Sequence, residues 1–178
     1  MKRFPVVLLA ALLNLTSCTQ EPTTDNPSKK YFDLKGFFQN EAETLQEKNL
    51  KVEKTVAKND LKESKSVMIR NWTNELDLFA ASDINKPAWA DLYQTKVTEN
   101  RTQYLAKETS LRTKRIIIDR SGEGKITHIF ILNDLSNNIY SSTEKLDYYP
   151  DSLYRIEKQQ KILIIGNNNF SVTGRLLQ

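Results

Sequence analysis

Residue types that many enzymes depend on are scarce in this chain of 178 residues. It contains one cysteine, one histidine and five glycines. A single cysteine excludes an intramolecular disulfide, and one histidine cannot supply the usual ligands of a zinc site. The G-x-S-x-G pattern of serine hydrolases and the phosphate-binding glycine loops are also absent. Zinc, serine-hydrolase and P-loop chemistry are therefore disfavoured, and we expect no cofactor and no metal.

Long apolar runs and blocks of one charge sign are missing as well. The longest apolar run, residues 4–15, is shorter than the roughly 20 residues of a membrane-spanning helix. The net charge is +4, and it falls to +2 without Lys2 and Arg3. The remaining charges of both signs are interspersed, which is typical of a solvated surface. We therefore expect no nucleic-acid partner.

The N-terminus has the three parts of a secretory signal: a positive segment, a short apolar run and small residues. Its ending, Leu-Thr-Ser-Cys at residues 15–18, resembles the bacterial lipobox. In that family the cysteine is lipidated and becomes the first residue of the mature protein. The resemblance implies a signal peptide over residues 1–17 and a lipid anchor on Cys18. Several acyl chains on one residue give stable anchoring to a membrane.

The residues behind Cys18 bear on location. Thr19 is not the aspartate that favours inner-membrane retention in enteric lipoproteins, and Glu21 and Asp25 are too scattered to resemble a surface-export signal. The resemblance thus implies the outer membrane, with the periplasmic face favoured over the cell surface. Residues 18–30 are polar with two prolines, so we expect a flexible tether. The single globular domain is then 31–178.

The first part of this domain is predicted to be helical around a hairpin. Apolar residues recur at three- to four-residue spacing in 31–49 and again in 66–82, where Ser66 is a plausible N-cap. Between the two helices, residues 50–67 alternate, with Asn59-Asp60 as the turn. From about residue 94 the pattern alternates in eight segments separated by short turns, which predicts antiparallel neighbours. The expected fold class is α+β: two N-terminal helices with a hairpin between them, then a curved antiparallel meander.

Three of these strands do not alternate. Residues 116–118, 129–132 and 162–165 are runs of apolar side chains. An antiparallel sheet with one wet face alternates, so these runs predict cover on both faces. Either helices and strands cover opposite faces, or the sheet curls into a partial barrel. The second arrangement would give a concave site for an apolar ligand.

Individual polar residues point only weakly to catalysis. His128 lies among apolar residues and is interpreted as a packed residue of the core or its rim. Paired carboxylates serve glycosidases, and the candidate pairs considered are Glu75 with Asp77, Asp119 with Glu123, and Glu144 with Asp147. Without a cleft, such pairs carry little information, and we assign no catalytic residue.

Residues 75–93 are the most distinctive segment, and they offer two interpretations. In the first, Asp83 and Asn85 cap the helix and turn while Trp89 and Tyr93 build core. In the second, these four residues form a binding corner with the two aromatic side chains as anchors. With the lipobox, the Asp-Ile-Asn-Lys-Pro-Ala-Trp segment at 83–89 resembles uncharacterised lipoproteins of Bacteroidota. That resemblance implies an envelope location only.

The triplet at 151–153 matches the O-glycosylation pattern of Bacteroidota envelope proteins, which makes Ser152 a possible acceptor. The leading functional hypothesis is a membrane-anchored cell-envelope lipoprotein with a non-enzymatic binding or structural role. Its partner would be a protein, a glycan or an apolar molecule. The alternatives are an envelope hydrolase acting on glycan or peptidoglycan through a carboxylate pair, and an inhibitor or immunity lipoprotein.

Overall fold

The structure is a computed structural model that describes residues 29–177. Cys18, the signal peptide and most of the tether lie outside the described residues. The elements in chain order are α1 (Leu34–Lys48), β1 (Lys51–Lys58), β2 (Leu61–Met68), α2 (Trp72–Glu75), α3 (Asp77–Ala80), a 3₁₀ turn (Pro87–Trp89), β3 (Tyr93–Thr98), β4 (Arg101–Ala106), β5 (Thr113–Arg120), β6 (Ile126–Ser136), β7 (Tyr140–Tyr149), β8 (Leu153–Ile162) and β9 (Gly166–Leu177). Within this range no helix has the length and hydropathy needed to span a bilayer.

All nine strands form one antiparallel sheet, in the order β2-β1-β9-β8-β7-β6-β5-β4-β3. The predicted α+β class is wrong, because the molecule is mostly this single sheet with a small helical layer near the N-terminus. The hairpin is not a separate unit between helices. Strand β1 pairs with β9, so the hairpin extends the meander. The two edge strands, β2 and β3, do not pair with each other, and no barrel forms.

Helix α1 forms as its sequence predicts. The Asp33 side chain accepts a hydrogen bond from Gly36 N at 2.8 Å and caps the start, and Asn49 adopts the left-handed conformation at the end. The predicted apolar face is buried. Its Phe38 ring lies 5.1 Å from that of Tyr148, so α1 packs on the middle of the sheet. We call this side of the sheet the covered face.

The second predicted helix is wrong. Ser66 is not an N-cap but lies in β2, paired with Glu53. Helical structure begins only after Asn71, whose side chain caps Asn74 N at 2.9 Å. It breaks at Leu76 into α2 and α3, each four residues long. Trp72, Leu76 and Phe79 are buried, as their three- to four-residue spacing predicts. They lie on two short helical turns rather than on one continuous helix.

The expectation that some strands are covered on both faces is also wrong. On β5 and β6 alternate residues are buried against the helices, and the residues between them are only partly buried on the other side, which we call the open face. No second layer of described residues lies on it. Here long side chains shield their apolar neighbours: Leu132 pairs with Arg115 on one side and Lys145 on the other. In the third apolar run, 162–165, only Ile162 lies in a strand, at the end of β8, and residues 163–165 form the exposed turn between β8 and β9.

Candidate functional site

The polar half of the predicted binding corner holds the start of the domain. Asn85 Oδ1 accepts a hydrogen bond from Tyr31 N at 3.0 Å, and Asn85 Nδ2 donates to Phe32 O at 2.9 Å. Asp83 Oδ2 accepts from Lys35 N at 3.2 Å, and Asp83 Oδ1 accepts from Asn85 N at 2.8 Å. These contacts satisfy backbone groups at and before α1 and within the turn, so Asp83 and Asn85 cap the start of α1 and the turn rather than the end of the helical segment before them.

The aromatic half divides between core and surface. Tyr93 is buried and its hydroxyl donates to Thr113 O at 2.9 Å. Burial raises the pKa of that hydroxyl. Trp89 is partly buried, with Lys86 Nζ 4.0 Å from the centroid of its ring, and it lines a cavity of about 490 Å³. The four residues therefore do not face one common cavity.

The remaining predicted site residues lie elsewhere. Ser152 is exposed in the turn between β7 and β8, where its N–H donates to Tyr149 O. Glycosylation at this position stays a prediction, as does lipidation of Cys18.

His128 lies on the open face with its side chain 20% exposed, which is the rim alternative rather than the core one. Its Nε2 is 2.8 Å from Asp147 Oδ1, its Nδ1 is 3.3 Å from Asp119 Oδ2, and Tyr149 stacks on its ring at 4.3 Å. Arg101 bonds Asp119 in turn, and the pKa of Asp119 is lowered, mainly by that bond. Within residues 29–177, no group of three or more His, Cys, Asp or Glu side chains is arranged to hold a metal ion.

The carboxylate pairs suggested by sequence do not define a cleft. Glu144 and Asp147 are three residues apart on β7 and therefore point to opposite faces of the sheet. Glu75 is bound by Lys54 at 2.6 Å and by the Tyr154 hydroxyl, while Asp77 is exposed. Sequence proximity alone is thus a poor guide to a catalytic pair.

A polar pocket of about 300 Å³ lies on the covered face where α3 meets β6, β7 and β8. Strand alternation turns Ser142 and Glu144 of β7 into it, and in register with Glu144 are Asn133 on β6 and Lys158 on β8. Arg112 enters from the loop before β5. The apolar part of the wall comes from Leu78, Leu135 and Tyr140. We call this the Glu144 pocket.

Glu144 is held between two cations. Its Oε2 accepts from Arg112 at 2.7 Å, and its Oε1 lies 2.9 Å from Lys158 Nζ. Burial alone raises the pKa of this carboxyl, but the bonds and charges of Lys158 and Arg112 outweigh burial and hold the pKa below its usual range. Glu144 is therefore a fixed anion rather than a proton donor.

Two buried polar atoms in the pocket have no partner among the described residues. Asn133 Nδ2 donates to Ser82 Oγ at 2.9 Å, but Asn133 Oδ1 accepts nothing, and Ser142 Oγ is unbonded as well. Asn133 is 1% exposed and Ser142 is 6% exposed. Buried polar atoms almost always have partners, so these two are the atoms of the pocket wall that lack an expected hydrogen bond.

Sequence reasoning missed this site. The alternation of β7 was the available signal for the pocket. Ser142 and Glu144 lie on the same strand face as the buried Leu146 and Tyr148. Polar residues on an apolar strand face are informative. Arg112, Asn133 and Lys158 carry no comparable signal, since each comes from a different element.

Fold and site together describe a single-sheet antiparallel β protein with a polar pocket under a small helical cover. No protein-family model, curated protein or solved structure matches this chain.

Proposed function

We propose that this chain is a lipid-anchored protein of the bacterial cell envelope that binds a hydroxyl-rich ligand, such as a unit of an envelope glycan, in the Glu144 pocket. The lipobox at 15–18 supports the anchor and the envelope location. The observation that carries the binding role is the pair of partnerless buried atoms, Asn133 Oδ1 and Ser142 Oγ.

The pocket's chemistry favours a saccharide over the apolar ligand considered above. Sugar hydroxyls both donate and accept, and the pocket offers the acceptor Asn133 Oδ1, the hydroxyl of Ser142 and the cationic donors Arg112 and Lys158. Tyr140 adds a partly buried ring to the wall, which suits the apolar face of a sugar. An apolar ligand would leave the polar atoms unpaired, at a cost in free energy.

Binding without chemical change fits the state of Glu144. A glycosidase needs one carboxylic acid with a raised pKa to protonate the leaving group. The pKa of Glu144 is instead lowered, so its carboxyl is not suited to protonate a leaving group. Asp134 also borders the pocket, but it lies next to Asn133 on β6, so its carboxylate points to the opposite face, where it accepts a hydrogen bond from Thr143 Oγ1 at 2.8 Å. Recovery of a cleaved saccharide from the binding experiment would support the hydrolase alternative instead.

The binding test uses the mature chain with Cys18→Ser, titrated with soluble fragments of peptidoglycan and lipopolysaccharide by calorimetry. Ser142→Ala removes one partnerless hydroxyl. We expect the affinity for a bound saccharide to fall about two- to tenfold, the worth of one hydrogen bond. The stability of the free protein should stay the same or rise, because an unpaired buried polar atom is removed.

The matched control is Ser141→Ala, the neighbouring serine on the opposite face of β7, which should leave affinity unchanged. If no fragment binds, or if both serine variants bind like the parent, the pocket does not bind saccharides. The anchor is tested separately by metabolic labelling with palmitate. Label should enter the wild-type chain and be lost in Cys18→Ser, and label retained in that variant would rule out Cys18 as the anchor.

A further inference from the structure

Four aliphatic side chains project into solvent from two adjoining turns of the sheet. Ile139, between β6 and β7, is 67% exposed, and Leu163, Ile164 and Ile165, between β8 and β9, are 71%, 94% and 72% exposed. Scattered exposed apolar residues are ordinary, but a contiguous set marks an interaction site. We call these four residues the apolar tip.

The two turns are joined and shaped by the backbone. Leu163 N donates to Ile139 O at 3.1 Å, which links one turn to the other, and Ile165 N donates to Ile162 O at 3.1 Å. Gly166 has φ +91°, a conformation that glycine adopts without strain and that lets the chain turn back into β9. The aliphatic side chains are therefore presented outward by a hydrogen-bonded frame.

The size of the tip argues against a protein partner, including a second copy of this chain. A stable protein interface takes about 20–30 residues from each side. Four side chains on a turn are far fewer, whereas a membrane needs only a few apolar side chains inserted at its interface, beside an anchor that keeps the protein close.

The position of the tip also suits a membrane. The tip lies at the same end of the sheet as the start of β3. Just before β3, the first described residues are held by the Lys30–Asp91 ion pair and by the hydrogen bond from the Tyr31 hydroxyl to Ala90 O. Strands β3 and β8 are five spacings apart, about 24 Å. The eleven Cα–Cα steps from Cys18 to Lys29 span at most about 40 Å. A chain anchored at Cys18 thus has enough length for the tip to reach the same membrane.

We propose that Ile139, Leu163, Ile164 and Ile165 insert into the interface of the lipid membrane that carries the anchor. This inference rests on the anchor in the proposed function and is independent of the Glu144 pocket. Insertion would give the domain a fixed orientation on the membrane, whereas an anchor alone would not. Lys161, exposed just before the tip, is placed to lie near anionic headgroups.

The test uses the mature chain with Cys18→Ser, which lacks both the anchor and any other thiol. Ile164→Cys is labelled with an environment-sensitive fluorophore and mixed with vesicles of phosphatidylethanolamine and phosphatidylglycerol. We expect a blue shift and a rise in emission. A second variant, Leu163→Asp with Ile165→Asp, should weaken partitioning of the unlabelled chain into vesicles about tenfold or more in co-sedimentation. All substituted side chains are exposed, so near-UV circular dichroism should be unchanged.

The matched control is Val97→Cys, an exposed aliphatic position at the opposite end of β3. The proposal is wrong if the label at 164 does not respond to vesicles, or if the labels at 164 and 97 respond alike. It is equally wrong if the label at 164 responds to protein concentration without lipid, because the tip would then contact a second copy. Palmitate labelling of Cys18 and saccharide binding are read independently, so failure of the tip is distinguishable from failure of the proposed function.

Discussion

The two faces of the sheet treat the same kinds of residue differently. On β5, Ile116 and Ile118 are 2% and 0% exposed on the covered face, while Ile117 between them is only partly buried on the open face. Acidic residues divide in the same way. Glu144 is buried between Arg112 and Lys158, whereas Asp119 and Asp147 flank His128 within reach of water.

The difference shows how the helices on one face change the hydrogen-bonding options of polar side chains there. On the covered face, a polar atom must find a partner in the protein or remain unpaired, and Asn133 Oδ1 and Ser142 Oγ remain unpaired. On the open face, solvent can complete any missing hydrogen bond. A ligand therefore gains most from polar groups on the covered face, which is where the Glu144 pocket lies.

The strongest test of this comparison uses the three consecutive isoleucines of β5. Ile118→Ala should reduce the free energy of unfolding by about 3–4 kcal/mol, because the side chain is fully buried and leaves a cavity. Ile117→Ala removes the same atoms from the open face and should cost about 1 kcal/mol. Urea denaturation measures both. Equal losses would mean that the open face is as well packed as the covered one.

A second test adds a single methyl group to the covered face. At Gly174, a Cβ would lie 2.2 Å from ring atoms of the buried Tyr154, so Gly174→Ala must displace that ring. We expect the free energy of unfolding of Gly174→Ala to be about 2–3 kcal/mol lower than that of the wild type. Gly122→Ala is the control, since no atom beyond its two chain neighbours lies within 4 Å of its Cβ position, and it should change stability by less than about 0.5 kcal/mol. A tolerated Gly174→Ala would show that the aromatic layer repacks easily.

A third test concerns the buried ion pairs. Glu144→Gln should lower the free energy of unfolding by about 1–2 kcal/mol at about pH 7, because the charge-assisted bonds to Arg112 and Lys158 are weakened. The folded-state pKa of Glu144 is lowered. The ionised carboxylate therefore stabilises the fold fully above the unfolded pKa of about 4.3, and this stabilisation is lost as the pH falls through the folded-state pKa.

The difference between wild type and Glu144→Gln should therefore narrow as the pH falls below about 4. Denaturation of both proteins across this range checks it. Asp147→Asn, on the opposite face of β7, controls for the general effect of acid. A gap that widens in acid would show that the folded-state pKa of Glu144 is raised instead.

The smallest effect is expected on the open face. His128→Ala removes the contacts to Asp119, Asp147 and the Tyr149 ring, but these groups remain accessible to water. The free energy of unfolding should fall by less than about 1 kcal/mol, and added salt should reduce the loss. Thermal denaturation at two salt concentrations measures this, and a loss comparable to that of Ile118→Ala would remove the contrast between the faces.

Local chemistry made several elements predictable from sequence. Helix α1 was predicted by the spacing of its apolar residues, and the hairpin turn was predicted by Asn59-Asp60. The failures have two causes, and both depend on residues outside the local segment. The helix expected from Ser66 was lost because strand pairing of β2 with β1 competed for those residues, and the expected double cover was wrong because neighbouring side chains can shield an apolar residue without a second layer.

The candidate site was less predictable than the fold. Asp83 and Asn85 were interpreted as caps of the helix end and turn in 75–93, but the structure shows them bonded to Lys35 N and Tyr31 N at the start of α1. Arg112, Asn133 and Lys158 were not recognised, because nothing in a local window shows that a loop residue, a β6 residue and a β8 residue meet around Glu144.

By itself, the sequence determined the features that depend on neighbouring residues: helix α1 with its cap, the hairpin turn, and the short connections that make successive strands antiparallel. Tertiary structure alone decided the pairing of β1 with β9, which brings Asn59 and Asn169 together, and the convergence of three strands on the Glu144 pocket. Periodicity and turn chemistry act over a few residues. Strand pairing across more than a hundred residues is instead selected by the burial of whole faces, which no short segment encodes.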